Sequence, residues 1–500
     1  MKKNIQSRPA YRFRQFSRKS FAVFNSLNRV INIGVVSGYV LTFAATTQTA
    51  AQNRISTKEE LTVPEQKLDE VLVTSSLSEI TFDQTAKIIS VITQNEIERQ
   101  PSASVQDLLK NLAGLDVRQR GTNGTLAGVS VRGGTFEQTA ILLNGVNLTN
   151  PQTGHYNLDL PVNLSDIERI EIIQGPTSLP YGAGAFSGGI NIITKKDTKT
   201  GVTLGIENGM HSLFGANVRG SLVTSPVSHS ISAGYASSDG YIPNSDYRLF
   251  NTLWQSHYRV DKTKLDFQFG INDKEYGANT FYSATYPNQF DDTRSLYGAI
   301  CGEAGTKLKF TPKLYWNRHY DIFHLYRPGT SDIPSWYTAP NYHFTDVFGI
   351  NLGTRYKWAA GTTVFGGEIR NEGITSSNLG KDSVSNGNYN LTDNRTNIGY
   401  FFEHTYLHRQ FTLVAGLLFN YNTAFRDDTG LFPSIGASFW PTGRVKLFAS
   451  WNSALRVPTF TDLYYKGATH EGNSDVRPER SSSFETGVKY YGKIFSASFN

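Results

Sequence analysis

The chain has 500 residues and a formal net charge of +6; 39% of its residues are hydrophobic, 13% aromatic and 18% charged. A mean hydropathy of -0.35, with no run of about 18 apolar residues beyond the first fifty, excludes membrane crossing by helices. The single cysteine, Cys301, excludes an internal disulfide framework and Cys-based zinc sites. Basic residues crowd the first thirty positions and the two signs mix elsewhere, so no basic stripe points to nucleic acid.

Lys2, Lys3, Arg8, Arg12, Arg14, Arg18, Lys19 and Arg29 precede the apolar run INIGVVSGYVLTFAA, and small residues follow at Thr49, Ala50 and Ala51. This layout predicts a secretory signal peptide over residues 1–51. The apolar run is short and holds Asn32, Ser37 and two glycines, which argues against the alternative, a membrane anchor. Residues 52–76 are mostly polar and carry one isolated strand-former, LDEVLVTSS. It reads either as a docking strand for another chain or as the first strand of the next domain.

Residues 77–196 read as a mixed α/β domain. KIISVIT is a strand. Thr93-x-x-Glu96 is a capping box for the helix NEIERQ. SVQDLLKNLAGL is a second helix, with Val105, Leu108, Leu109 and Leu112 on one face and Gly114 as its C-cap. LDVRQR follows. GVSVRGG and TAILLNGVNL, joined by GGTFEQ, read as a hairpin, with a tight turn at Asn144-Gly145. RIEIIQG and GGINIIT close the domain. Between these two lies a Gly/Pro-rich stretch with Gly175, Pro176, Gly182, Gly184, Gly188 and Gly189. It is not a phosphate cradle, because no helical pattern follows Gly182-Ala183-Gly184.

Residues 198–500 change texture. Roughly 15 alternating runs, each long enough for a tilted strand to cross a bilayer, repeat to the end. Their connections alternate between very short ones, such as Lys262-Thr263, and long ones at 278–293, 321–344, 375–395 and 455–480. Short turns on one rim and long loops on the other predict an antiparallel transmembrane β-barrel rather than a soluble sandwich or propeller. Large plugged barrels need about 22 strands, so roughly seven closing strands are expected beyond residue 500. No nucleophile–base arrangement, HExxH or coherent carboxylate pair is present, so no enzyme is expected.

These parts resemble a known family. VSVRGG at 129–134 with ILLNGVNL at 141–148, and IERIEIIQGPTSLPYGAGAFSGGINIITKK at 167–196, resemble the two plug signatures of TonB-dependent outer-membrane receptors. WNSALRVPTFTDLYYKG and GNSDVRPERSSSFETGVKYY are similar to late-barrel motifs of siderophore and vitamin B12 receptors. The resemblance covers the whole mature chain and is nearest to that receptor type. It implies a mainly β protein in the outer membrane of a Gram-negative bacterium, an incomplete 22-stranded barrel over 198–500 with an α/β plug over 77–196 in its lumen. It also implies a Ton box at Asp69, Glu70, Val71, Leu72, Val73, Thr74 and Ser75, which adds as a strand to TonB of the TonB–ExbB–ExbD complex.

The plug-motif residues it implies are Arg132, Gly133, Asn144, Gly145, Arg169, Glu171, Gly175, Pro176, Tyr181, Gly182, Gly188, Gly189 and Asn191. Arg132 is expected to pair with barrel Glu485. The family's second plug arginine is replaced here by Gln174, which puts a four-charge lock in doubt. The expected ligand is a corrinoid, siderophore or haem. Candidate contacts are Arg118, Gln119, Arg120 and Asn123 on the plug apex, and His324, Arg327, Trp336, Tyr337 and His343 on an aromatic loop. Asp291 and Asp292 are candidates for Ca2+; no other cofactor is expected. The alternatives are uptake of an oligosaccharide or peptide with a surface lipoprotein, and a surface adhesin or structural barrel.

Overall fold

A strand sends successive side chains to opposite faces, and the two large sheets of this chain fill those faces differently. In the computed structural model the described residues are 72–500, except 74–76, 79, 82–83, 123, 332, 468–469 and 493–494. The expected signal peptide lies outside the described residues.

The N-terminal part begins with β1 (Leu72–Val73), paired antiparallel with β2 (Ile80–Thr81). β3 (Ile88–Thr93) runs into α1 (Gln94–Arg99) through the predicted capping box. The Thr93 N–H donates to Glu96 Oε2 at 2.7 Å and the Glu96 N–H to Thr93 Oγ1 at 3.4 Å, which satisfies two donors that a helix start leaves free. α2 (Val105–Leu109) is capped by Ser104 and buries Leu108 and Leu109 completely. It ends earlier than the sequence predicts: residues 110–114 form turns, and Gly114 at φ +84° redirects the chain into β4 (Leu115–Gln119) instead of capping a helix.

β5 (Ala127–Val131) pairs with β4, not with β6 (Thr139–Leu143), so the predicted hairpin across GGTFEQ does not form. Positive φ at Arg132 and Gly133 turns the chain out of the β4–β5 ribbon, and a short 3-10 turn at Phe136–Gln138 delivers it to another sheet. Asn144 and Gly145, at φ +52° and +74°, make the predicted tight turn from β6 into β7 (Val146–Asn147). β8 (Ile167–Gln174), α3 (Ser178–Tyr181) and β9 (Gly188–Thr194) complete a five-stranded sheet of order β3-β8-β9-β6-β7. Only β6 and β9 run parallel. One face buries Ile141, Leu143, Ile170, Ile172, Ile190 and Ile192 against the helices; the other buries Ile89, Ala140, Leu142, Ile173 and Tyr181. Each buried Ile or Leu contributes about 1.5–3 kcal/mol, and the domain holds together as an apolar core.

The second sheet follows a simple meander. Its strands are β10 (Gly201–Gly209), β11 (Leu213–Thr224), β12 (Val227–Ser238), β13 (Tyr247–Val260) and β14 (Thr263–Gly277). Next come β15 (Phe290–Gly305), β16 (Leu308–His324), β17 (Asn341–Trp358) and β18 (Gly361–Ser376). β19 (Lys381–Asn386) is a side strand paired only with β20 (Tyr389–His408). The path ends with β21 (Phe411–Asn422), β22 (Gly430–Thr442), β23 (Val445–Arg456), β24 (Glu479–Tyr491) and β25 (Ser496–Phe499). Every neighbouring pair is antiparallel, and among the described residues β10 and β25 are not paired with each other. Turns at 225–226, 261–262, 306–307, 359–360, 409–410 and 443–444 lie at one rim; loops at 278–289, 325–340 and 457–478 lie at the other.

Burial on this wall is inverted. Its outer face exposes Trp254, Phe269, Phe348, Ile350, Leu352, Phe365, Ile369 and Phe402. Its inner face buries Gln255, Gln268, Asn272, Lys274, Arg370, Glu403 and Glu485. A band that is apolar outside and polar inside belongs to a sheet with lipid at its back. What covers the polar face is the N-terminal domain. Side chains from β12 to β24, among them Ser232, Gln255, Gln268, Lys313, Arg370, Glu403, Lys446 and Glu485, reach it by hydrogen bonds from all round the wall.

Candidate plug–wall interface and ligand-facing surface

The two plug motifs come together at the centre of the interface. The Arg132 guanidinium pairs with the Glu485 carboxylate and donates through Nε to Gln174 Oε1 at 3.1 Å. Gln174 in turn donates to the Ala113 carbonyl at 3.1 Å. The position where an arginine was expected therefore holds a neutral relay, and the lock carries one ion pair. Gly175 is required beside it: its φ is +88°, and a Cβ there would stand 2.5 Å from Glu485 Oε1. Lys87 lies in the same region, donating to Thr177 Oγ1 at 3.1 Å. Burial lowers its ammonium to about 8, with Glu403 and Glu485 opposing that fall.

The remaining motif residues build the plug and fasten it. Asn144 donates to Thr194 and, at 2.7 Å, to wall residue Gln268. The Gly145 N–H donates to Asn191 Oδ1 at 3.0 Å, and Lys313 reaches the Gly145 carbonyl at 3.0 Å. Arg169 pairs with Glu168 and, at 2.9 Å, with the fully buried Glu171. Gly189 lets the Tyr181 ring approach the sheet closely, since a Cβ there would meet that ring at 2.4 Å. Pro176, Gly182 and Gly188 shape the links around α3, whose Ser178 Oγ accepts from the Leu455 N–H on β23 at 3.4 Å.

Sequence reasoning missed a second anchor. Arg370 on β18 donates to the plug carbonyls of Asn147 and Thr149, both at 2.9 Å, while Glu372 sits between Arg370 and Arg395 at 2.8 and 2.7 Å. These residues are spread over two strands and meet only through sheet register, where Glu372 faces Arg395. On the opposite side, Asp166 pairs with Arg219 at 3.2 Å and Asp159 with Lys274 at 2.8 Å.

Of the expected Ton box, Leu72 and Val73 form β1, and Asp69, Glu70, Val71, Thr74 and Ser75 lie outside the described residues. Just after it, the chain is fastened to the wall. The Ser78 N–H donates to Glu403 Oε1 at 2.9 Å, the Thr405 hydroxyl donates to Ser78 Oγ at 3.0 Å, and Arg355 donates to the Leu77 carbonyl at 3.1 Å.

At the loop rim, the β4–β5 tip meets aromatic side chains. Arg120 donates to the Phe281 carbonyl and lies 5.6 Å from the Tyr282 ring. Arg118 is exposed and pairs with Asp116; Gln119 ends β4; Asn123 lies outside the described residues. His155 stacks on Phe136 at 4.3 Å and meets Tyr282 edge-on at 5.9 Å. Burial, helped by Arg120, depresses its imidazole to about 4, so it is neutral at physiological pH. Tyr286, Tyr326, Trp336 and Tyr337 form one cluster with ring separations from 5.3 to 6.4 Å, which joins loops 278–289 and 325–340.

Four expectations need correction. Asp291 and Asp292 are neighbours in β15, so their side chains point to opposite faces of the wall and cannot hold one ion together; Asp291 is buried inside against Tyr282. Among the described residues no three His, Cys, Asp or Glu side chains converge as a metal site. His343 is not a loop residue: it is buried in β17 and bonded to Ser376 at 2.7 Å. Arg327 is on the loop but is committed to Asp246 and Asn244, with Phe290 beneath it at 4.6 Å. His324 is not a loop residue either: it ends β16, edge-on to Phe290 in the same corner, whereas Trp336 and Tyr337 stand in the aromatic cluster.

A lipid-backed β-wall whose polar lining is stoppered by its own N-terminal domain defines a plugged outer-membrane receptor. Residues 82–189 match the TonB-dependent Receptor Plug Domain, and residues 195–500 match the TonB dependent receptor-like, beta-barrel. The chain belongs to the TonB-dependent receptors and resides in the outer membrane. It is 24% identical over 433 residues to the vitamin B12 transporter BtuB of Vibrio vulnificus, covering 85% of this chain and 68% of that one. It is 26% identical over 451 residues to BtuB of Vibrio cholerae, covering 86% and 69%. Among solved structures it is similar to the ferric enterobactin receptor PfeA of Pseudomonas aeruginosa, with a TM-score of 0.65, 16% identity and coverage of 82% and 70%. It is likewise similar to the hemophore receptor HasR of Serratia marcescens, with a TM-score of 0.67, 15% identity and coverage of 82% and 70%.

Proposed function

We propose that this receptor captures a scarce solute too large for porins, a corrinoid or an iron chelate, and passes it through the wall when TonB pulls on residues 69–75. The observation that carries the reading is the plug's attachment on every side, with the chain at Leu77 and Ser78, just after β1, fastened to Arg355 and Glu403. The outer membrane has no ATP and holds no useful gradient. A plug fixed by this many bonds opens only when external work is done on it. Strand addition to β1 supplies a grip of main-chain hydrogen bonds that transmits such work. β3 is an edge strand of the plug sheet and comes soon after the Ton box, so pull reaches an element that can peel away without breaking the sheet's centre.

At the loop rim, flat aromatic side chains and the Arg120 guanidinium offer stacking to a large, partly apolar ligand. The similarity to vitamin B12 transporters favours a corrinoid, and the structural likeness to siderophore receptors concerns fold. Titration of the purified protein with cyanocobalamin, haem and ferric siderophores selects among these cargoes. Deletion of residues 69–75 should abolish uptake of the ligand that binds while leaving its binding intact. Undiminished uptake after that deletion would contradict energy coupling by this route.

A further inference from the structure

The connection between β23 and β24 belongs to the loop rim, yet its base folds inward. Phe460–Tyr464 is a short helix, α4, that starts with a capping box between Thr459 and Asp462. Phe460 is completely buried, packed with Ile374 and Leu379 and lying 4.7 Å under the Arg395 guanidinium. Arg395 also donates to the Pro458 carbonyl, and the Tyr464 hydroxyl donates to Asp393 at 2.6 Å. The two helix-start N–H groups that the cap leaves free do not face water. Phe460 N–H donates to the Pro151 carbonyl at 2.9 Å and Thr461 N–H to the Gln152 carbonyl at 3.1 Å, both on the plug's apical loop. One ion-pair network binds the same parts: Arg456 pairs with Asp462 and Glu479, and plug residue Gln138 donates to Glu479 at 2.8 Å. The outer part of the loop, around Tyr465–Gly467 and Asp475, is exposed, and it is tied back to the helix by the Asn473 N–H on the Asp462 carbonyl at 2.9 Å.

We infer that residues 457–465 are a latch that ties the exposed β23–β24 loop to the plug's apical loop at 149–153, so that the two shift together. The Phe460 and Thr461 N–H groups lose these acceptors if either side moves alone. Withdrawing Phe460 would also leave a cavity among Ile374, Leu379 and Arg395. A solute that displaces the outer loop therefore acts on the plug from above. The latch operates whatever the cargo and goes beyond the uptake reading.

The test is amide hydrogen exchange on the full chain in detergent. In Phe460→Ala the amides of 149–153 and of 460–478 should both exchange about tenfold faster or more, with β8 and β9 changed less than about twofold. Acceleration of only one of the two segments, or of neither, overturns the latch. If β8 and β9 accelerate as well, a Gln152→Cys/Thr461→Cys pair in a Cys301→Ser background decides. Oxidation should slow exchange across 466–478 as well as 149–153, and reduction should restore it. An outer loop indifferent to that bond overturns the inference.

Discussion

The plug and the wall are both β-structures built on the same alternation, and they bury opposite things. In the plug, Ile172 and Ile190 are hidden and the domain coheres as ordinary apolar cores do. In the wall, Ile350 and Phe365 are exposed while Gln268, Arg370 and Glu403 are hidden. The contrast shows that alternation fixes which residues share a face, and the medium on each side fixes which face is apolar. It also explains why much of the interface between the two is polar: the wall turns mostly polar side chains inward, with apolar ones such as Leu253, Val347 and Phe401 among them, so the plug is held by directional bonds as well as by apolar contacts.

The strongest way to break this comparison is to put a charge in each place where the account forbids it. Leu109→Asp inserts an unpaired carboxylate into the plug core and should cost about 4 kcal/mol, read as proteolytic digestion of the plug while the barrel survives. Ile350→Arg, between Leu314 and Ile369 on the lipid-facing side, should cost about 2–4 kcal/mol in barrel stability, read from urea unfolding in lipid vesicles. A soluble wall would tolerate that change. Arg132→Ala leaves Glu485 without its ion pair. Because Arg132 is itself about one-third exposed, the expected cost is about 1–2 kcal/mol, read as plug exchange with the barrel unaffected.

The smallest effect is a pH dependence at the loop rim. His155 in the folded protein is depressed to about 4 from an ordinary 6.5, so the unfolded chain binds its proton first as pH falls. Stability from the neutral ring is complete above 6.5 and is lost as pH drops from 6.5 to about 4, below which no more is lost from this group. Thermal melting of wild type against His155→Gln should show a steeper acid loss for wild type in that window. Parallel curves would remove His155 from the account.

Much of this was legible in the sequence, where the cause is local. The Thr93–Glu96 cap needs only residues three apart, the Asn144-Gly145 turn only two left-handed positions, and the wall only a period of two. Arg132 with Glu485 was legible through the motifs that carry them. What failed was non-local. β5 left the expected hairpin because β6 pairs in parallel with β9, in a register that puts Thr139 beside Gly188. The Arg370–Glu372–Arg395 anchor and α4 were invisible because sheet register and an inward fold, not spacing, bring them to the plug. Asp291 and Asp292 misled because adjacency in sequence is separation in a strand.

The most direct test of a plug held inside the wall and released by pull is a bond across the contact at its exit. Ser78→Cys with Thr405→Cys, in a Cys301→Ser background, replaces two hydroxyl groups 3.0 Å apart. The account predicts rapid disulfide formation under mild oxidation, intact ligand binding, and uptake that stops until reductant is added. Failure of the two cysteines to cross-link, or uptake at the wild-type rate by the cross-linked protein, would contradict it.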